Sequence, residues 1–105
     1  MISANFTKTE GKLIGFSISG HAGYDVFGKD IACASVTSAV QLTANAVTEV
    51  LKIKADVKVL ENQIQLKLPK DCSERAFDFM EALLLHLEIL SEDFEGSIKV
   101  KVSEV

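Results

Sequence analysis

The 105-residue sequence predicts an α+β two-layer sandwich: a five-stranded antiparallel or mixed sheet with two helices on one face, in the order ββαββαβ. Three observations carry this reading. Short stretches alternate apolar and polar residues with the period of two that suits a strand lying on a core. Two longer stretches repeat their apolar residues near the 3.6 period of an amphipathic helix. Four of the strand-like stretches come in pairs joined by turns, and these hairpins are separated by helices, which implies an antiparallel or mixed sheet.

In the first hairpin, Ile2, Ala4 and Phe6 alternate with Ser3, Asn5 and Thr7 up to Lys8. Thr9-Glu10-Gly11-Lys12 forms the turn. From Leu13 to Ser19 the alternation resumes, and Ile14, Phe16 and Ile18 are expected on one side. Gly20 to Lys29 holds three glycines and no periodicity, a loop long enough to suggest a functional role. Asp30 to about Lys54 is expected to be helical, with Asp30 as N-cap or first-turn residue. Its polar residues recur at Ser35, Ser38, Gln41, Asn45, Thr48, Glu49 and Lys52, opposite Val36, Val40, Val47 and Val50.

A second hairpin alternates Val57 and Val59 with Lys58 and Leu60, turns at Glu61-Asn62, continues through Ile64, Leu66 and Leu68, and stops at Pro69. Asp71 to Glu92 forms the second helix, capped by Asp71 or Ser73. Its core stripe includes Ala76, Met80, Leu83, Leu87 and Leu90. Phe79, Ala82, His86 and Ile89 widen that stripe, and Leu85 lies on the solvent side, which suggests either a partner surface such as a homodimer contact or a helix sandwiched more deeply in the fold. Ser97 to Val102 closes the sheet, with Ile98, Val100 and Val102 facing inward.

Composition bounds the function. Residues 1–105 are expected to form one domain, and 48% hydrophobic residues with a single proline argue against disorder. No uninterrupted apolar run is long enough for a membrane span, and no signal-peptide pattern opens the chain, so a cytoplasmic protein without membrane association is expected. Eleven basic residues scatter among fifteen acids for a net charge of −4, which gives no basic stripe for direct nucleic-acid binding. Two cysteines, with no Cys-x-x-Cys and no His/Cys cluster, offer neither a disulfide framework nor a zinc site. No cofactor motif is present, the glycines lacking both phosphate-loop and dinucleotide spacings.

Reactive residue types concentrate between Gly20 and Cys33. Cys33 falls in the expected first turn of a helix, where free amides and the helix dipole favour a thiolate. His21, twelve residues earlier, ends the preceding strand and could serve as its base. Asp30 could cap the helix or orient His21. Residue types alone leave two readings open, a nucleophile or an inert buried thiol, and the inert thiol is the commoner case. Cys72 and His86 read as structural residues.

Gly20-His21-Ala22 followed by Gly28-x-Asp30-Ile31-Ala32-Cys33-Ala34 resembles the ribosomal-processing cysteine protease family called Prp. The resemblance implies a homodimeric Cys–His dyad endopeptidase that removes the N-terminal extension of large-subunit ribosomal protein number 27, so that its partner is a ribosomal precursor peptide. Carried over by position, Cys33 is the nucleophile, His21 the general base, and Gly20 and Asp30 further motif residues. Thr37 stands one turn beyond the cysteine, where the family usually has Ser, and keeps the hydroxyl as a substrate or supporting contact. Ala32 replaces a larger aliphatic residue. The glycine-containing loop would gate the site, and Tyr24, Val26 or Phe27 could meet apolar substrate residues. The alternative function is a non-catalytic, ribosome-associated binding module.

Overall fold

The structure, a computed structural model, describes residues 1–20 and 29–105, with the side chains of Lys29 and Asp30 excepted. The chain runs β1 (Ile2–Thr9), β2 (Lys12–Ser19), α1 (Lys29–Asn45), a π-helical turn (Ala46–Val50), β3 (Asp56–Leu60), β4 (Gln63–Lys67), α2 (Arg75–Asp93) and β5 (Ile98–Glu104). The strand order is β3-β4-β2-β1-β5. β1 pairs antiparallel with β2 and parallel with β5, so the sheet is mixed. The ββαββαβ order and the two-layer architecture are those the alternation predicts.

Cross-strand register explains the layering. One row aligns Val59, Ile64, Ile18, Ala4 and Val100, and the next aligns Val57, Leu66, Phe16, Phe6 and Val102. Paired residues share a face of the sheet, so both rows point the same way. That face meets Val36 and Val40 of α1 and Met80, Leu83 and Leu87 of α2 in one core. Their helical spacing of three or four residues keeps each stripe on the sheet. The opposite face carries Ser3, Asn5, Ser17, Gln65, Lys99 and Lys101 and needs no cover.

Leu13, rather than Ile14, is the buried residue at the start of β2. A register shift between Thr7 and Lys8 pairs Gly15 with Thr7 and Leu13 with Lys8, leaving Ile14 as the extra residue of a bulge. Simple alternation cannot see this. Beside the bulge, a Cβ on Gly15 would come within 2.7 Å of the Leu66 carbonyl oxygen, so β4 approaches at a distance only glycine permits.

α1 starts as expected, from Lys29 with Asp30 in its first turn, although Cys33 falls at the start of the second turn rather than in the first; its far end departs from expectation. It gives way after Asn45 to the π turn instead of continuing to Lys54. There the Leu51 N–H donates to the Ala46 carbonyl, five residues back. The hydroxyls of Thr43 and Thr48 donate to the carbonyls of Ala39 and Ala44, which loosens the regular ladder around the turn. Val50, expected on the apolar side, is consequently exposed.

α2 starts at Arg75 rather than Asp71, and the Ser73 Oγ accepts the Arg75 N–H at 3.3 Å. One helical run, Ile31–Val50, has a mean hydropathy of 1.2 and is long enough to cross a membrane. Its Val36, Val40 and Val47 are instead buried in the sandwich core.

Candidate active site

β2 ends beside the N-terminal part of α1, and a groove of about 290 Å³ opens between that helix and the β3–β4 hairpin. Cys33 and Thr37 line it from α1, Gly20 from the end of β2, and Val59 and Ile64 from the hairpin. Ile2 and Ile18 also contribute, so most of the lining is apolar. Cys33 is half-buried and packs against the core cluster, with part of its surface open to the groove. Thr37 follows one turn later and is exposed. The helical repeat therefore puts the thiol and the hydroxyl on one wall.

Gly20 is fixed by its backbone. Its φ is +85°, and an added Cβ would collide with the Met1 carbonyl oxygen. Its N–H donates to the Asn62 carbonyl at 3.0 Å, tying the end of β2 to the tip of the β3–β4 hairpin. Asn62 itself takes a left-handed φ of 64°, which the short polar side chain tolerates in this tight turn. Thus the residue preceding His21 in sequence is anchored at the groove, and glycine is the residue type that this conformation allows.

The structure brings Gly20, Cys33 and Thr37 together. His21, the segment expected to gate the site, and Tyr24, Val26 and Phe27 lie outside the described residues, as does the side chain of Asp30. Cys72 is half-buried ahead of α2 and packs on the core, away from the groove lining. His86 is exposed on α2 and borders a separate shallow groove with Ile31 and Leu42 of α1. No cluster of three metal-binding side chains occurs among the described residues. The hairpin contribution of Val59 and Ile64 was not singled out from sequence. Their apolar alternation marked a strand but gave no sign of its distance from Cys33.

Across residues 1–99 the chain matches the family model described as cysteine protease Prp, which defines it as a cysteine protease. It is 26% identical over 107 residues to the ribosomal processing cysteine protease Prp of Bacillus subtilis strain 168, covering 95% of this chain and 96% of that one. The fold resembles that of a Staphylococcus aureus Prp solved with a substrate peptide, with a TM-score of 0.89 at 19% identity over 98% of this chain and 100% of that one. It also resembles SMU.848 of Streptococcus mutans, with a TM-score of 0.85 at 24% identity over 100% of this chain and 96% of the other. The chain belongs to the Prp family of cysteine proteases.

Proposed function

We propose that this protease acts in the cytoplasm, with Cys33 and His21 as its dyad, and removes the N-terminal extension of large-subunit ribosomal protein number 27. The observation that carries the assignment of the nucleophile is the position of Cys33 in the apolar groove, partly open and beside the Thr37 hydroxyl, while Cys72 packs elsewhere on the core. The relatives named as ribosomal processing proteases support the substrate class.

In this mechanism the Cys33 Sγ, as thiolate, attacks the scissile carbonyl carbon. The tetrahedral oxyanion collapses to a thioester as His21 delivers a proton to the departing amine. His21 then takes a proton from water, the resulting hydroxide attacks the thioester, and the thiolate leaves. Side chains on a helix lean toward its N-terminus, so the thiol of residue 33 leans over the first turn of α1, where backbone amides pointing toward the helix start are suited to hold the oxyanion. Asp30 and Thr37 serve as positioning residues, Asp30 through His21 and Thr37 through the substrate.

Incubation with the precursor ribosomal protein is expected to yield a body lighter by the N-terminal extension and a free extension peptide, both read by mass spectrometry. An unchanged precursor mass after prolonged incubation overturns the assignment.

We also infer a homodimer. Ile31 and Leu42 of α1 are 53% and 72% exposed, and Leu85 and Ile89 of α2 are 60% and 47% exposed, so the helix layer is apolar on its outer side as well. Leu85→Asp is expected to convert the dimer to a monomer in sedimentation equilibrium. Association unchanged by that substitution rules out this face.

A further inference from the structure

The sheet face turned away from the helices gathers positive charge. Its outward positions alternate with the buried rows, so Lys58 of β3, Lys67 of β4 and Lys99 and Lys101 of β5 all point to this side. All four are exposed, and among the described residues no carboxylate stands within ion-pair distance of any of them. Asp56 is the one acid at an outward strand position. The helix side has the opposite sign, since α2 sets Asp78, Glu81, Glu88, Glu92 and Asp93 against Arg75. A chain of net charge −4 thus holds a cationic face. Along the sequence its lysines are spread between positions 58 and 101 and form no basic stripe; strand pairing makes one.

The lysines bracket this face. β3 and β4 make one edge and β5 the other, and the strand spacing sets β5 roughly 14 Å from β4 and roughly 19 Å from β3. Between the edges, Ser3, Asn5 and Ser17 offer hydroxyl and amide groups, and the Ser17 Oγ accepts the Gln63 Nε2 at 3.0 Å. Gly15 adds no side chain there, and a shallow depression of about 620 Å³ lies over it, lined by Thr7, Ser17, Asp56, Lys58, Gln65 and Lys67. No outward strand position holds an aromatic residue.

These features select among polyanions. A single strand of nucleic acid is held by stacking its bases on aromatic rings, which this face lacks. The B-form major groove takes an inserted helix or ribbon, and a sheet presented flat inserts nothing. A-form RNA instead presents a wide, shallow minor groove, with phosphates along both rims and 2′-hydroxyls between them. We propose that the open sheet face binds duplex RNA across its minor groove, with Lys99 and Lys101 holding one phosphate rim, Lys58 and Lys67 the other, and the polar residues of β1 and β2 meeting the sugar hydroxyls. Such contacts read shape and charge and carry no base sequence. The proposal is independent of the assignment of Cys33, whose groove opens on the helix side of the sheet.

The test is a titration of a fluorescein-labelled RNA duplex of about 16 base pairs, followed by anisotropy at several salt concentrations. Expected is binding that weakens about a hundredfold between roughly 50 and 200 mM salt, as four phosphate contacts require. Lys99→Gln with Lys101→Gln, and separately Lys58→Gln with Lys67→Gln, should each weaken binding about tenfold or more and lower the salt slope by about two. Lys52→Gln with Lys70→Gln removes the same charge outside the strands and should leave the affinity within about twofold. Circular dichroism of each variant, expected to match the parent, keeps a folding defect from being read as lost binding. Absence of binding at low salt, equal losses in all three pairs, a loss confined to one edge, or equal affinity for a DNA duplex of the same length overturns the proposal. So does tighter binding of polyglutamate than of RNA, which assigns the face to an acidic protein instead.

Discussion

Cys33→Ala is expected to lower kcat/KM for the precursor peptide by about four orders of magnitude or more, while Cys72→Ala leaves it within twofold of the parent. Removing a nucleophile deletes the covalent pathway and leaves only what binding and oxyanion contacts can do for direct attack by water. The fold should survive, because Cys33 is only half-buried and its loss removes little more than one sulfur's worth of packing, about 1 kcal/mol. Two measurements check this together: product formation followed by mass, and the thermal unfolding midpoint. Substantial cleavage by a folded Cys33→Ala protein would falsify the proposed chemistry. In the parent, iodoacetamide should modify Cys33 faster than Cys72, since the groove gives reagents access to the first thiol.

The largest effect on stability is expected at Phe6. This residue is fully buried on β1, which is paired on both sides, and its ring centroid lies 5.9 Å from that of Phe16 at a tilt of 52°. Truncation to alanine removes the transfer energy of the ring, the tilted aromatic contact and the packing around the resulting cavity, together about 3–5 kcal/mol. A domain of this size has a total of about 5–15 kcal/mol. Phe6→Ala should therefore move the urea midpoint down by about 2 M with an unchanged slope. Val59→Ala, on the exposed edge, should move it hardly at all. A Phe6→Ala shift corresponding to less than about 1 kcal/mol would mean that the core closes over the gap.

How much of this was legible beforehand follows from which forces are local. Alternation in β1, β4 and β5 and the stripes of α1 and α2 are statements about burial, and burial writes itself into residue type at fixed periods. The bulge at Ile14 is not of that kind. It arises from how backbone hydrogen bonds are shared between β1 and β2, and its one trace in the sequence is Gly15, which also reads as an ordinary strand glycine. The π turn likewise depends on hydrogen-bond register, to which Thr43 and Thr48 contribute without announcing it. For the site, the motif residues Gly20, Cys33 and Thr37 could be named from the chain and do meet in one groove. Val59 and Ile64 could not, because their nearness to Cys33 is created by β4 pairing with β2, a contact between distant segments.

The parallel pairing of β1 with β5 joins Ile2 to Ile98, nearly the whole chain apart, whereas the β1–β2 turn closes over a few residues. By loop-closure entropy the long contact costs roughly 3 kcal/mol more to initiate. During synthesis the hairpins and both helices can form while one side of β1 still waits for its partner. The strand that completes the pairing of β1 is thus made after every other element described, and one side of β1 stays open until β5 reaches it.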